Sequence, residues 1–283
     1  MIGIFREEMY SPNRVQDDAA ILELTAAAIR EHGYPVETLR PEELTLESTP
    51  DMAFAMCKGP RCLQILKGWE SKGYRIVNSS SAIQNCHRYR MHGLMNGSSI
   101  LFPKSLLIRT TDSVNGQFDL GRGVWVKRGD VHRTHPRDVE LVFDRASLEG
   151  SLEFLCSRWV EFALLQEHIE GDLIKFYGVL PQSWFRYVYQ TPEKNRGYPF
   201  SPEKLRNTAE AAARKLGLEV YGGDIVVTET DHFLIDINNW PSFGVCREEA
   251  SEQIASYLVR CFQRREPHCS DLGWRSARDP EGL

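Results

Sequence analysis

The sequence contains no long hydrophobic run, and this absence bears on where the protein works. A membrane-spanning helix needs about 20 consecutive apolar residues, and no stretch of the chain approaches that length. The chain begins with Ile2-Gly-Ile-Phe rather than with a charged region followed by an apolar signal segment. We therefore expect a cytoplasmic protein with no membrane partner.

A long basic run is also absent. The 34 Lys and Arg residues are outnumbered by 39 Asp and Glu residues, which gives a net charge of -5 at pH 7. A protein that binds nucleic acid usually carries a positive field over a large surface. We therefore expect no nucleic-acid partner, although local groups of Arg and Lys can still bind a small anion.

The cysteines offer no sign of a zinc site or a redox motif. There are seven of them, an odd and scattered set without a Cys-x-x-Cys pair, and we expect reduced thiols. The chain also lacks internal repeats, heptads and low-complexity segments. Its 283 residues, 42% of them hydrophobic, are enough for two compact lobes or one large domain with an ample core.

Hydrophobic periodicity predicts alternating strands and helices in the first part of the chain. Strands are expected at residues 2–5, 34–39, 53–57 and 74–78, with helices at 17–31 and 62–71. This alternation is typical of an open parallel sheet. We expect an N-terminal α/β lobe at residues 1–100.

Two further lobes are expected after it. Strands at 106–110, 123–127 and 140–143, a helix within 148–159 and an apolar segment at 162–166 predict a small central lobe at 101–168. Strands at 173–180 and 184–189 and helices at 202–216 and 248–264 predict a C-terminal lobe at 169–265. A Pro- and Gly-containing segment at 190–201 is expected to be mobile, and a polar tail takes 266–283.

A hairpin in the C-terminal lobe carries the most informative pattern. Its apolar runs, 225–227 and 233–237, flank a polar turn, and Asp224, Asp236 and Asn238 lie beside them. Asp236 and Asn238 are two residues apart and so share one face of a strand. Two carboxylates and one amide oxygen form the kind of site that Mg²⁺ prefers. The alternative is that Asp224 caps a turn and the other two lie on a solvated face.

Two upstream segments carry cations next to predicted strands. His87-Arg88-Tyr-Arg90 follows the fourth strand, and Lys127 ends an apolar strand just before a loop that contains Gly129 and several basic residues. Guanidinium groups form paired hydrogen bonds to phosphate oxygens, and glycine-rich loops can cover a phosphate chain. The alternatives are a solvated helix face for the arginines and a solubilising strand-edge charge for Lys127.

Taken in chain order, these segments resemble those of the ATP-grasp enzymes over residues 1–262. The resemblance implies a mixed α/β and α+β fold, in which an open parallel α/β lobe precedes two α+β lobes that clamp Mg-ATP. The form Asp236-Ile-Asn-x-x-Pro is similar to that of the inositol trisphosphate 5/6-kinase branch, while many ligases of the family, which include the ribosomal-protein glutamate ligases, have Glu-x-Asn. Many members also have Asp-Lys where this chain has His87-Arg88.

The resemblance implies ATP and Mg²⁺ as cofactors and assigns roles to residues. Arg88, with Arg90 as its alternative, and Lys175 are expected at the transferred phosphoryl group. Asp172, with Glu170 second, is expected to hold the ribose, and the backbone of 167–169 to bind the adenine edge. The complete nucleotide set is Arg88, Lys127, His132, Gln166, Glu167, His168, Ile169 and Asp172; the metal set is Asp224, Asp236 and Asn238; the substrate set is Arg6, Lys58, His135 and Ser242.

The acceptor is expected to be a small anionic molecule. A carboxylate acceptor makes the protein an ATP-dependent ligase, which is the reaction of most members of the family. A hydroxyl acceptor makes it a kinase, and a nucleotide-binding regulator without turnover is the third hypothesis. Arg14 and Arg61 are further candidate cations at the strand ends of the first lobe. A homodimer is the hypothesis for its oligomeric state.

Overall fold

The strands form three four-stranded sheets in the part of the chain that the structure describes. A computed structural model describes residues 1–264 except 115, 132 and 181–183. No helix in that part is both long enough and apolar enough to cross a membrane. The six cysteines that lie within the described residues are all free thiols.

The first sheet is parallel, with strand order β2-β1-β3-β4. Every residue of β3 is buried, as expected for a parallel strand that is covered on both faces. The predicted alternation of strands and helices is confirmed. The elements are β1 (Ile2–Ile4), α1 (Val15–Glu31), β2 (Glu37–Leu39), β3 (Met52–Ala55), α2 (Pro60–Ser71), β4 (Arg75–Val77), α3 (Ser80–Asn85) and α4 (Arg88–Met95).

The second sheet is antiparallel, with strand order β5-β8-β6-β7. Helix α5 packs against it, and Asp144 caps that helix by accepting a hydrogen bond from the Ser147 amide. The apolar segment at 162–166 proves to be a strand between two others. The elements are β5 (Ser105–Arg109), β6 (Val124–Arg128), β7 (Val139–Val142), α5 (Arg145–Ser157) and β8 (Phe162–Glu167).

The third sheet is also antiparallel, with strand order β10-β9-β11-β12. Helix α6 is capped by the Ser201 side chain and ends at Gly217, whose φ of 77° is the left-handed conformation that glycine adopts easily. Both hairpin strands are longer than predicted. The elements are β9 (Asp172–Val179), β10 (Trp184–Tyr189), α6 (Pro202–Leu216), β11 (Val220–Val227), β12 (His232–Asn239) and α7 (Arg247–Arg264).

Buried polar contacts join the first sheet to the start of β11. The Asn78 side chain donates to the Val220 carbonyl at 2.7 Å and accepts from the amides of Glu219 and Val220 at 2.8 and 3.0 Å. Arg75 donates twice to the Glu219 carboxylate, at 3.0 and 2.5 Å, and the Tyr257 hydroxyl donates to it as well. The N-terminal part is thereby held against the strand that carries Asp224.

We expect Glu219→Ala to lower the free energy of unfolding by about 3–5 kcal/mol, because it removes the carboxylate from a buried ion pair. The matched control is Glu161→Ala. The Arg109 and Glu161 side chains of the control pair are each 61% exposed, whereas the Arg75 and Glu219 side chains are 11% and 2% exposed. Because the control pair is exposed, Glu161→Ala should change the free energy of unfolding by only about 0–1 kcal/mol. Urea denaturation measures both; losses that agree within 1 kcal/mol would contradict the prediction.

Candidate active site

The β11–β12 hairpin places the three predicted oxygen donors on one face of the third sheet. Asp224 lies directly opposite Asp236 in the strand register, and Asn238 lies two residues further along β12. The strands approach closely at Gly223, where a Cβ atom would lie 2.2 Å from the Asp236 carbonyl oxygen. Glycine is therefore required at this point for the two acids to face each other.

Each of the two acids has a cationic neighbour. Lys175, which lies opposite Asp224 on β9, places its Nζ 3.2 Å from Asp224 Oδ1. An Arg88 Nη lies 3.2 Å from Asp236 Oδ2. Burial raises the pKa of Asp224, with Lys175 opposing that rise and the charge of Asp236 adding to it. The two carboxylates are thus close enough to repel each other.

The donor set suits a hard divalent cation. Among the described residues, no group of three or more His, Cys, Asp or Glu side chains could hold a metal ion. A bound ion would therefore need the Asn238 oxygen beside Asp224 and Asp236, and further oxygens from phosphate or water. Oxygen-only ligands of this kind fit Mg²⁺, and a dication would relieve the repulsion between the two carboxylates.

Lys127 faces these acids from the second sheet. Its side chain is buried, and its Nζ donates to Gln166 Oε1 at 2.6 Å. Burial lowers the pKa of Lys127 to about 8; the charges of Asp236 and Asp224 oppose this change, and Arg88 adds to it. Because both carboxylates act on Lys127, the structure brings a cation of the central lobe within electrostatic reach of the proposed metal ligands.

Of the two candidate arginines, Arg88 lies inside the site and Arg90 lies on the surface. Arg88 is buried at the first position of α4 and donates to the carbonyls of Arg128 and Val131, both at 3.3 Å. Arg90 is exposed and contacts the hydroxyl of the adjacent Tyr89. Arg88 therefore connects α4, the end of β6 and the Asp236 carboxylate.

The loop after β6 is tied down at its base. Arg128 contacts Asp130 at 2.7 Å and the fully buried Asp138 at 3.1 Å. Asp138 also accepts from the amides of Thr134 and His135 at 2.8 and 2.9 Å. These bonds hold His135 toward the third sheet. The predicted nucleotide contact His132 lies outside the described residues.

Two of the three backbone amides of the predicted hinge are bonded within the fold. The amides of Glu167 and His168 donate to the carbonyls of Lys104 and Gly123 at 2.9 and 3.1 Å. The Ile169 amide makes no backbone hydrogen bond within the described part of the chain.

The Asp172 carboxylate is bonded to the backbone of a later segment. It is buried and accepts from the amides of Arg196, Gly197 and Tyr198 at 2.6, 3.0 and 3.0 Å. The segment at 190–201, expected to be mobile, is thus bound at three backbone positions. The ribose contact of Asp172 stays a prediction, and its alternative, Glu170, is an exposed partner of Arg196.

A cleft of about 450 Å³ adjoins Asp224, between the first lobe, the loop after β6 and the third sheet. All four predicted substrate residues line it, together with Lys175, Asp224 and Asn238. Five cations against two carboxylates give its wall a positive balance: Arg6, Arg14, Lys58, Arg133 and Lys175 against Asp18 and Asp224. The cleft therefore favours an anion.

The four predicted substrate residues differ in how much of each side chain is free. The Arg6 guanidinium already forms hydrogen bonds within the fold, to Asp18 at 2.7 Å and to the Trp240 carbonyl at 2.5 Å. His135 Nδ1 accepts from the Arg137 amide at 3.1 Å. Ser242 is buried in the cleft wall. Lys58 Nζ forms no hydrogen bond with any described residue, and burial lowers its pKa to about 7.

Some cleft residues escaped the sequence analysis. Tyr10 and Tyr177 line the cleft but belong to no recognisable motif. Arg133, which also lines it, belongs to the basic loop after Lys127 that the sequence pointed to. Conversely, the candidate Arg61 donates to the carbonyls of Pro41 and Leu44, at 2.8 and 2.9 Å, and does not line the cleft.

Comparison with known proteins decides the fold. No family model and no curated protein matches the sequence. Among solved structures, the chain is similar to D-alanine–D-alanine ligase from Bacillus anthracis, with 14% identity, a TM-score of 0.67 and coverage of 94% of this chain and 99% of that one. The chain is also similar to a RimK domain ATP-grasp protein from Sphaerobacter thermophilus, with 17% identity and a TM-score of 0.67. The match covers 91% of this chain and 99% of that one.

A third structure, the ATP-grasp ligase PsnB with its minimal precursor, Mg and ADP, gives 14% identity, a TM-score of 0.64 and coverage of 93% and 98%. The chain has the ATP-grasp fold. The predicted fold class, an open parallel α/β lobe followed by two α+β lobes, is thereby confirmed. Lys127 lies on β6 of the second sheet, and Asp236 lies on β12 of the third.

We expect Lys127→Met to stabilise the protein at pH 7 by on the order of 1–3 kcal/mol, because a buried ammonium is replaced by an apolar side chain. Burial lowers the pKa of Lys127 from 10.5 to about 8. The destabilisation of the folded wild type by the buried ammonium therefore decreases as pH rises from 8 to 10.5. The advantage of the variant should therefore shrink from pH 8 to 10.5.

Urea denaturation between pH 7 and 10 measures this dependence. The control is Lys67→Met, which alters an exposed lysine of α2 and should change stability by less than about 0.5 kcal/mol at every pH. If the stability advantage of Lys127→Met over wild type increased with pH, the prediction that Lys127 is a buried, charged lysine would be contradicted.

Proposed function

We propose that the protein is an ATP-dependent ligase that transfers the γ-phosphoryl group of Mg-ATP to a carboxylate of a small anionic acceptor. The acyl phosphate is then attacked by an amine or another nucleophile. One observation carries this proposal. Arg88 pairs with Asp236 at 3.2 Å, both acids act electrostatically on the buried Lys127, and Asp224 lines a cleft whose charged residues are mostly cations.

The cations have distinct roles in this scheme. Lys127 reaches the α- and β-phosphates from β6, and the Ile169 amide contacts the adenine edge at the hinge. Arg88 and Lys175 flank the γ-phosphoryl group, since each already lies 3.2 Å from one of the two acids. Preorganised cations around the transferred group stabilise the charge that spreads over its oxygens in the transition state.

Asp224, Asp236 and Asn238 are the residues that would hold Mg²⁺. When bound, the ion neutralises phosphate charge and orients the phosphoryl group. Two of the solved structures with this fold support the nucleotide assignment by their contents: a Bacillus anthracis D-alanine–D-alanine ligase was captured with ATP, and PsnB was captured with Mg and ADP.

The reaction balances in two steps. An oxygen of the acceptor carboxylate attacks the γ-phosphorus, and the bond from that phosphorus to the β–γ bridging oxygen breaks, so ADP leaves. The nucleophile then attacks the acyl carbon, the bond from that carbon to the phosphate oxygen breaks, and inorganic phosphate leaves. The nucleophile loses one proton in this second step. The protein positions these groups and excludes water, which is where most of its contribution lies.

A small-molecule kinase is the second candidate. The observation that favours it is the excess of cations along the acceptor cleft, which would suit a phosphorylated alcohol as well as a carboxylate. In that case a hydroxyl oxygen attacks the γ-phosphorus, and the product is a stable phosphomonoester.

Product analysis separates the two candidates. We expect hydroxylamine to trap a hydroxamate when the protein is incubated with Mg-ATP and a panel of carboxylates, because an acyl phosphate reacts readily with this nucleophile. ADP and hydroxamate are measured together, and a reaction without the carboxylates is the control. A phosphomonoester without hydroxamate would establish the kinase, and ADP release that no carboxylate stimulates would refute the ligase.

The metal assignment predicts the effect of Asp236→Ala. We expect kcat for Mg²⁺-dependent ADP release to fall at least about 100-fold, because the variant loses a charged ligand and the partner of Arg88. The control is Glu229→Ala, an exposed residue in the turn of the same hairpin, and its kcat should stay within about twofold of wild type. Wild-type rates in Asp236→Ala would remove Asp236 from the metal site.

A further inference from the structure

Lys58 carries a buried ammonium that the proposed phosphoryl transfer does not use. The side chain is 5% exposed and lines the acceptor cleft. Its backbone is held in place, because the amides of Lys58 and Gly59 donate to the two oxygens of Glu7 at 2.9 and 2.8 Å. Its Nζ makes no hydrogen bond with the described residues, which is unusual for a buried charged group.

Two further polar side chains, one buried and one half-buried, have buried atoms without hydrogen-bond partners among the described residues. Asn239, at the end of β12, is fully buried, and neither its side-chain oxygen nor its nitrogen has a hydrogen-bond partner among the described residues. The same holds for His87 Nε2. Cys86 connects the group electrostatically. Burial raises the pKa of its thiol to about 12, the charge of Lys58 and the Asn239 backbone oppose that rise, and Lys58 also acts on His87.

The acids near Lys58 bind other groups, although Asp18 Oδ1 has no hydrogen-bond partner among the described residues. Asp18 is bound to Arg6 at 2.7 Å and to the Ser11 hydroxyl at 2.6 Å, and Asp236 is paired with Arg88. The pKa of Lys58 is lowered to about 7, first by burial and then by the charge of Arg6, and the charges of Asp18 and Asp236 only partly oppose these effects. The local excess of positive charge is what a bound anion would neutralise.

We propose that Lys58, supported by Asn239 and His87, binds a second anionic group of the acceptor. The acceptor is then a dianion: one carboxylate is activated beside Lys175 and Asp224, and the other anionic group lies at Lys58. This inference rests on the proposed ligase function. Lys58, Lys175 and Asp224 line one cleft of about 450 Å³, which has the size of a small-metabolite site.

Calorimetric titration without nucleotide tests the site directly. The probes are glutarate, a dicarboxylate, and valerate, the monocarboxylate of equal chain length. We expect the wild-type protein to bind glutarate at least tenfold more tightly than valerate. A third probe, 3-phosphonopropionate, shows whether the second group is read as a carboxylate or as a phosphorus oxyanion. Equal affinities for valerate and both dianions would overturn the inference, and this comparison needs no variant.

Variants assign the preference to Lys58. Lys58→Met and Lys58→Gln should each lose at least tenfold in affinity for the preferred dianion and leave valerate binding unchanged. Lys67→Met, on the exposed face of α2, is the matched control and should bind as wild type does. Variants that fold like wild type, by circular dichroism, and keep the preference for dianions would overturn the assignment.

Turnover separates this inference from the ligase proposal. Dianion binding at Lys58 without carboxylate-stimulated ADP release or hydroxamate would refute the ligase and leave the anion site standing. Hydroxamate from monocarboxylates at rates equal to those from dicarboxylates would support the ligase and overturn the dianion inference. Hydroxamate from dicarboxylates, with a KM at least tenfold higher in Lys58→Met and little change in kcat, would support both.

Discussion

The candidate site depends on charge compensation between strands that face each other. Asp224 and Asp236 are paired across β11 and β12, where two adjacent carboxylates repel at close range. Each has a cation from a different part of the chain, Lys175 from β9 and Arg88 from the start of α4. Lys127 adds a third from the central sheet. All three lobes must therefore be in place before the acids can lie side by side at low cost.

Without a ligand, the same arrangement lowers the stability of the folded protein. Lys58 and Lys127 are buried cations with lowered pKa values, and Asn239 is a buried amide without partners among the described residues. Such groups reduce stability until a ligand pairs with them. The Asn78 hydrogen bonds and the Arg75–Glu219 ion pair stabilise the junction between the first and third sheets. Function and stability thus depend on different buried polar groups.

Local pattern was a good guide to the elements and a poor guide to individual side chains. The alternation of strands and helices and the spacing of Asp236 and Asn238 were readable because strand and helix periods are local properties. Asp172 was placed at the ribose because it follows the hinge, yet its carboxylate binds amides 24 to 26 positions along the chain. Arg6 contacts a carbonyl 234 positions away. Contacts of that separation have no signature in a single sequence.

By itself, the sequence determined which strands and helices form and which residues can supply oxygens and cations, because side-chain period and chemical type are properties of short segments. Only the tertiary structure decided which cations meet which acids. It placed Arg88 and not Arg90 against Asp236, bonded the Asp172 carboxylate to three loop amides, and left Lys58 Nζ in the cleft without a hydrogen bond to any described residue. The physical reason is that burial and charge pairing are set by packing among the three sheets, and each partner there comes from a distant part of the chain.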